Sequence, residues 1–246
     1  MDHTTLNVLA VVFVATLIRS ALGFGEGLIA VPLLALSIPI AIAAPVVVLL
    51  SITIAAVVVG QDWRNIHVRS AGWLLAPTFF GIPLGIALLT SVHQNLVKGV
   101  LALVILAFSG YFLVVTKPPE LRSDNRAWLL ACGFLAGVLG GAYGMNGPPL
   151  AMYGAMRRWS PQHFRATLQG YFLPASVVAM VGYWIAGLWV PAETHYYLIS
   201  LLAAVPAIFL GGVINDRLRG DAFLRYVYAG LVCIGVLLLI QAFHHA

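Results

Sequence analysis

The chain has 246 residues, 61% of them hydrophobic and only 9% charged. A soluble domain carries about 25% charged residues, so a water-exposed surface is excluded, and several apolar runs reach the roughly 20 residues that a spanning helix needs. The net charge of +5 sits in short loops between apolar runs, where it points to orientation in a lipid bilayer and not to nucleic acid.

The chain begins in the polar tip Met1-Asp2-His3. It lacks the basic region and small-residue cleavage site of a secretory signal, so the first apolar run is expected to stay. Residues 5–37 are apolar but interrupted by Gly23-Phe24-Gly25-Glu26-Gly27. Long helices are predicted over about 40–60, 70–91 and 97–116, followed by a loop with Lys117, Arg122 and Arg126. Residues 127–157 are again apolar and interrupted, by the stretch from Gly140 to Pro149, and long helices follow over about 164–187, 195–214 and 223–243. Each interrupted stretch divides into a longer arm and a short arm of roughly 11 residues, about 16 Å of helix. That is half the hydrocarbon thickness, so each stretch reads as a helical hairpin that enters and returns. Trp63, Trp73 and Trp189 near helix ends fit an interfacial belt.

The two interrupted stretches align. Leu9 to Gly23 matches Leu130 to Gly144 at an offset of 121, with Leu9/Leu130, Phe13/Phe134, Ala15/Ala136, Ala21/Ala142 and Gly23/Gly144 identical. Pro39 then pairs with Pro161, and Leu84-Gly85 with Leu210-Gly211. A broken hairpin followed by three long helices, occurring twice, reads as an internal duplication: repeat 1 over about 5–116 and repeat 2 over about 127–243, together a single transmembrane domain, 1–246. With the central loop in the cytoplasm, eleven of the thirteen basic residues face inward, leaving Lys98 outside and Arg19 in the membrane. Both termini then fall outside, in a bacterial inner membrane. Each half has an odd number of crossings, so the fold class is an all-α membrane protein of two inverted repeats, an arrangement that places a transport site at the repeat interface.

Irregular backbone at membrane depth is tolerated where it is buried in protein or lines a cavity. Gly23, Gly25 and Gly27 in the first break, and Gly144 and Gly147 in the second, either let a substrate approach the main chain or only let helices pack closely. Both short arms start at a break, so their N-termini offer free N–H groups and partial positive charge to an anion. Asn146 is placed to cap the second short arm, with Pro148 and Pro149 in its first turn, and its amide is also a candidate anion donor. Glu26, a carboxylate inside an apolar stretch, is by default a functional group: either it takes a proton as substrate loads, or it pairs with Arg19, seven residues away. Arg19 is also a candidate to meet the anion directly. Gln169 is either a substrate ligand or a helix-to-helix hydrogen bonder. Tyr143, Tyr153 and Tyr171 flank the second break as packing residues or ligands. No histidine pairs at i,i+4 with a carboxylate, so no metal site and no cofactor is expected. Cys132 and Cys233 lie in apolar runs as small packing residues.

The run Gly23-Phe24-Gly25-Glu26-Gly27…Pro32-Leu33-Leu34, the run Gly144-Met145-Asn146-Gly147-Pro148-Pro149-Leu150 and the run from Arg165 to Phe172 resemble the sulfite exporter TauE/SafE family of bacterial membrane transporters, over nearly the whole chain. The resemblance implies transport of sulfur-containing or organic anions such as sulfite, sulfoacetate or thiosulfate. The family pattern has glycines where this chain has Glu26, Asn146 and Pro148. The expected function is a secondary transporter, an exporter of a small oxyanion coupled to protons. An anion channel, or a transporter of another small anion, is the alternative. No Walker motif, no G-x-S-x-G and no H-E-x-x-H is present, so direct ATP use and enzymatic chemistry are not expected.

Overall fold

The computed structural model describes residues 3–62, 68–115, 120–121, 126–159, 161–217, 231–233, 235–240 and 242. Among these the chain is mostly helical and has no strand, with the helices α1 (His3–Leu22), α2 (Glu26–Leu34), α3 (Ile40–Asp62), α4 (Val68–Ser91), α5 (Gln94–Val114), α6 (Arg126–Tyr143), α7 (Gly147–Met156), α8 (Pro161–Ile185) and α9 (Pro191–Arg217). A shorter apolar helix, Leu231–Ile240, follows. The rest of the helix expected over 223–243 lies outside the described residues, as do Trp63, Arg64, Lys117, Arg122, Arg219 and Arg225. Seven of the helices are long and apolar enough to cross a membrane.

The expected breaks are present, and the expected element lengths need one correction. The short arms α2 and α7 have 9 and 10 residues, about 14–15 Å of helix. The long arms α1 and α6 have 20 and 18 residues and are each long enough to cross by themselves. The elsewhere-expected boundaries shift by a few residues because prolines start α8 at Pro161 and α9 at Pro191, where the ring is tolerated in the first turn.

The halves share an element order, and their packing shares a logic. The long arm α1 lies on α9, and its counterpart α6 lies on α4; α3 packs on α9, and α8 on α4; α3 meets α8, and α2 meets α7. Exchanging the two halves turns this set of pairings into itself. The α4–α6 contact is backbone against backbone. Gly133, Gly137 and Gly141 form a ridge of spacing four on α6, which meets Gly81 and Gly85 on α4. A methyl group on Gly137 would sit 2.5 Å from the Thr78 carbonyl oxygen, and the other four glycines leave no more room. Small residues at every fourth position allow this approach in a lipid environment, where no hydrophobic drive pulls helices together. The matching α9–α1 contact has Gly211 over Ser20.

The α4–α6 ridge yields a test. Gly85→Ala drives a methyl into the Val138 carbonyl, whereas Gly110 on α5 has nothing within 4 Å of such a methyl. Gly85→Ala is expected to destabilise by about 1–3 kcal/mol. Gly110→Ala is expected to be neutral or slightly stabilising. Thermal unfolding in detergent, read side by side, checks the contrast; equal midpoints would refute the packing account.

Candidate functional site

Both long arms end on glycine in the left-handed region, which L side chains rarely adopt. Gly23 has φ 87° and Gly144 φ 64°, and these two residues are paired in the expected alignment of the halves. Gly23 N–H donates to Arg19 O, and Gly144 N–H to Gly140 O with Met145 N–H reaching back to Leu139 O, the usual satisfaction of helix C-terminal carbonyls. The breaks then diverge. Gly25, with φ 103°, is the N-cap of α2, while Asn146 starts α7 from ordinary helical dihedrals. Gly27 of α2 lies so close to the Gly144 carbonyl that a methyl there would sit 2.5 Å from its oxygen. The two breaks therefore touch.

Between them is a cavity of about 20 Å³, lined by Arg19, Gly25, Glu26, Gly27, Gly144, Asn146, Gly147 and Pro148, with Leu28, Ser51, Met145 and Phe172 completing the wall. Ser51 is at the middle of the 23-residue α3, so the cavity lies at mid-depth in the helix bundle. Of the residues expected here from the sequence, Gly23 and Gln169 stand one layer back. Gln169 Nε2 donates to the Gly23 carbonyl at 3.0 Å, and its Oε1 accepts from Arg19 Nη2 at 2.9 Å. Tyr143 donates to the Val97 carbonyl, Tyr171 shares a proton with Thr78, and Tyr153 stacks edgewise on Trp159. None of these three tyrosines lines the cavity, although Tyr171 lies against Asn146, which does.

Arg19 and Glu26, both almost wholly buried, form an ion pair between Nη1 and Oε2. Arg19 Nη1 also donates to Ser51 Oγ at 2.8 Å, and Nη2 reaches the Ser51 carbonyl at 3.4 Å. Ser176 Oγ of α8 donates to Ser51 Oγ at 3.0 Å. The Phe172 ring lies under the guanidinium, its centroid 4.9 Å from Cζ. Sequence reasoning missed Ser51, Ser176 and Phe172. A signal existed for the serines: they stand 125 residues apart, between the offsets of 122 at Pro39/Pro161 and 126 at Gly85/Gly211. That spacing is the one expected of corresponding positions if the chain is duplicated.

One expectation is corrected. Asn146 makes no side-chain cap hydrogen bond. Its amide lies against the backbone of Gly140, whose missing side chain leaves the space. Asn146 Nδ2, Glu26 Oε1 and Arg19 Nε are buried with no hydrogen-bond partner. The two helix N-termini are also unequal. Pro148 and Pro149 remove two N–H groups from the first turn of α7, since proline has none. The α2 end keeps a full set.

The cavity thus combines a buried cation, a countercharge on a short arm, an amide donor without a partner and a helix N-terminus. Those groups suit a small anion that displaces or accompanies a carboxylate. The model of the sulfite exporter TauE/SafE family matches residues 8–238 of the chain. No curated protein and no solved structure matches it.

The pair sets a stability prediction. Leaving one member of a buried ion pair alone costs about 3–5 kcal/mol, whereas removing both costs less. Arg19→Gln and Glu26→Gln should each lower the thermal midpoint in detergent by several degrees, and the double variant should regain part of the loss. A double variant less stable than either single one would show that the two side chains contribute independently.

Proposed function

We propose, from the fact that this chain belongs to the sulfite exporter TauE/SafE family, that it exports a small sulfur-containing or organic oxyanion such as sulfite or sulfoacetate, with proton movement coupled through Glu26. The family assignment makes the chain a multi-pass membrane transporter of sulfite-type anions and not an enzyme. The observation that carries the finer reading is the Arg19 guanidinium, buried at mid-depth on the cavity where the two breaks touch. It is a charge costly to hold in a bundle interior without a functional return, and it faces the backbone of a helix N-terminus.

The substrate-binding group in this reading is Arg19 with Asn146, the α2 backbone around Gly25, Glu26 and Gly27, and the Gly144, Gly147 and Pro148 wall. Gly23 and Gln169 hold Arg19 in place. A cavity of about 20 Å³ has room for one water molecule and not for an oxyanion of four heavy atoms. Loading therefore requires the breaks to separate and Glu26 to leave Arg19. A bare carboxylate competes with the anion for the same N–H groups. Protonation of Glu26 removes that competition, the anion takes the place of the carboxylate on Arg19, and release of both on one side moves proton and anion together. The exchange of helix pairings between the halves and the inward bias of basic residues support two repeats of opposite orientation in an inner membrane, with both termini on the non-cytoplasmic face.

Two experiments test these readings. In proteoliposomes the wild-type protein should accumulate radiolabelled sulfite under a pH gradient, against its concentration gradient, which a channel cannot do. Glu26→Gln, which keeps the shape of the protonated acid, should still exchange sulfite but lose pH-driven accumulation by about tenfold or more. Normal pH-driven uptake by this variant excludes the coupling role. For orientation, His3→Cys and Ala246→Cys should both react with an impermeant thiol reagent from the non-cytoplasmic side; reaction of either from the cytoplasmic side alone sinks the inverted arrangement.

A further inference from the structure

Phe172 has no part in the exchange described so far, yet it lines the cavity and is buried there. The donors of a guanidinium all lie in its plane. In Arg19 they meet Glu26, the hydroxyl and carbonyl of Ser51, and Gln169. Those partners fix the edges of the plane. Its faces cannot hydrogen-bond, and Arg19 Cζ lies over the Phe172 ring, 4.9 Å from its centroid.

This placement matters at one step. While Glu26 carries its charge, the ion pair is enough to hold Arg19. Once Glu26 is protonated and moves away, the cation keeps only the neutral dipoles of Ser51 and Gln169. Those dipoles hold the edges of the guanidinium and leave its net charge without a compensating partner. A ring face attracts a cation through its quadrupole, most strongly when water is excluded, and it does so without occupying an N–H group. An aliphatic side chain of similar size would fill the space and supply no such attraction.

We propose that Phe172 is a positioning residue for the transported anion: its ring holds the Arg19 guanidinium flat beside the cavity, donors toward the anion, during the interval in which Glu26 is neutral. The proposal rests on Arg19 being the anion-binding group. Because Phe172 belongs to α8 and Arg19 to α1, it also ties the charged break of the first half to the second half through a contact that protonation does not alter.

The test replaces Phe172 with 3,5-difluoro- and 3,4,5-trifluorophenylalanine, which keep the shape of the ring and drain its negative face, and with Tyr and Leu. The readouts are KM and Vmax for sulfite in proteoliposomes and the rise in thermal midpoint that sulfite produces. KM should increase stepwise with fluorination, by about tenfold at the trifluoro ring, with Vmax little changed. Phe172→Tyr should behave as wild type, and Phe172→Leu should match the trifluoro variant or exceed it. A KM unmoved by fluorination, with only Phe172→Leu impaired and thermally weakened, means that the ring merely packs, and overturns the proposal. Wild-type protein that sulfite neither stabilises nor crosses would instead remove the anion reading, and with it any anion for Phe172 to serve. That pattern, flat in every variant, is distinct from the first.

Discussion

Backbone unwound at membrane depth has to find its hydrogen bonds inside the protein, because the hydrocarbon offers none. Much of this architecture follows from meeting that demand at two glycine-rich breaks. The Gly23 carbonyl takes the amide of Gln169, delivered from α8 in the other half of the chain. The carbonyls of Gly140 and Gly141, at the end of α6, both accept from the Tyr183 hydroxyl, also on α8. A single long helix thus serves both breaks. This explains why α8 crosses α3 and α4 at the centre of the bundle and does not stand at its edge. Gln169 shows the economy of the arrangement: one side of its amide closes the main chain of the break, and the other steers the cation.

The breaks were legible in the sequence because the cause is local. Glycine clusters in otherwise unbroken apolar runs read either as breaks or as close-packing positions, and the left-handed dihedrals at Gly23, Gly25 and Gly144 show backbone breaks there. The pairing of Arg19 with Glu26 was also within reach, as one of two readings of a seven-residue separation. What the sequence hid was the wall supplied by distant helices. Ser51 sits in the middle of a 23-residue apolar helix whose local pattern says nothing about which face looks inward, and its importance comes from partners 32 and 125 residues away. Phe172 was concealed for a different reason, since an aromatic residue in an apolar helix is ordinarily core. The Asn146 cap failed on local geometry. The residue is already in helical dihedrals, whereas a capping side chain needs the extended backbone of a true N-cap position.

Symmetry of fold and asymmetry of chemistry coexist at this site for an electrostatic reason. A hydrogen bond between Ser51 of α3 and Ser176 of α8 joins the two halves of the chain beside the cavity. At the aligned offset of 121, Arg19 corresponds to Gly140 and Glu26 to Gly147. With a guanidinium in each half, two cations would face one cavity of about 20 Å³, each demanding its own countercharge, and desolvation would exceed what their pairing returns. The chain instead places one cation and one carboxylate in the first half and neutral groups in the second. Gly140 gives up its side chain to the Asn146 amide. Pro148 and Pro149 withdraw N–H groups from α7 while α2 keeps its own. In the proposed cycle, a single positive charge with a single removable partner is satisfied in turn by the carboxylate and by the anion. Under the proposed function, that alternation depends on the second half carrying no charged side chain at these positions, where it has Gly140 and Gly147.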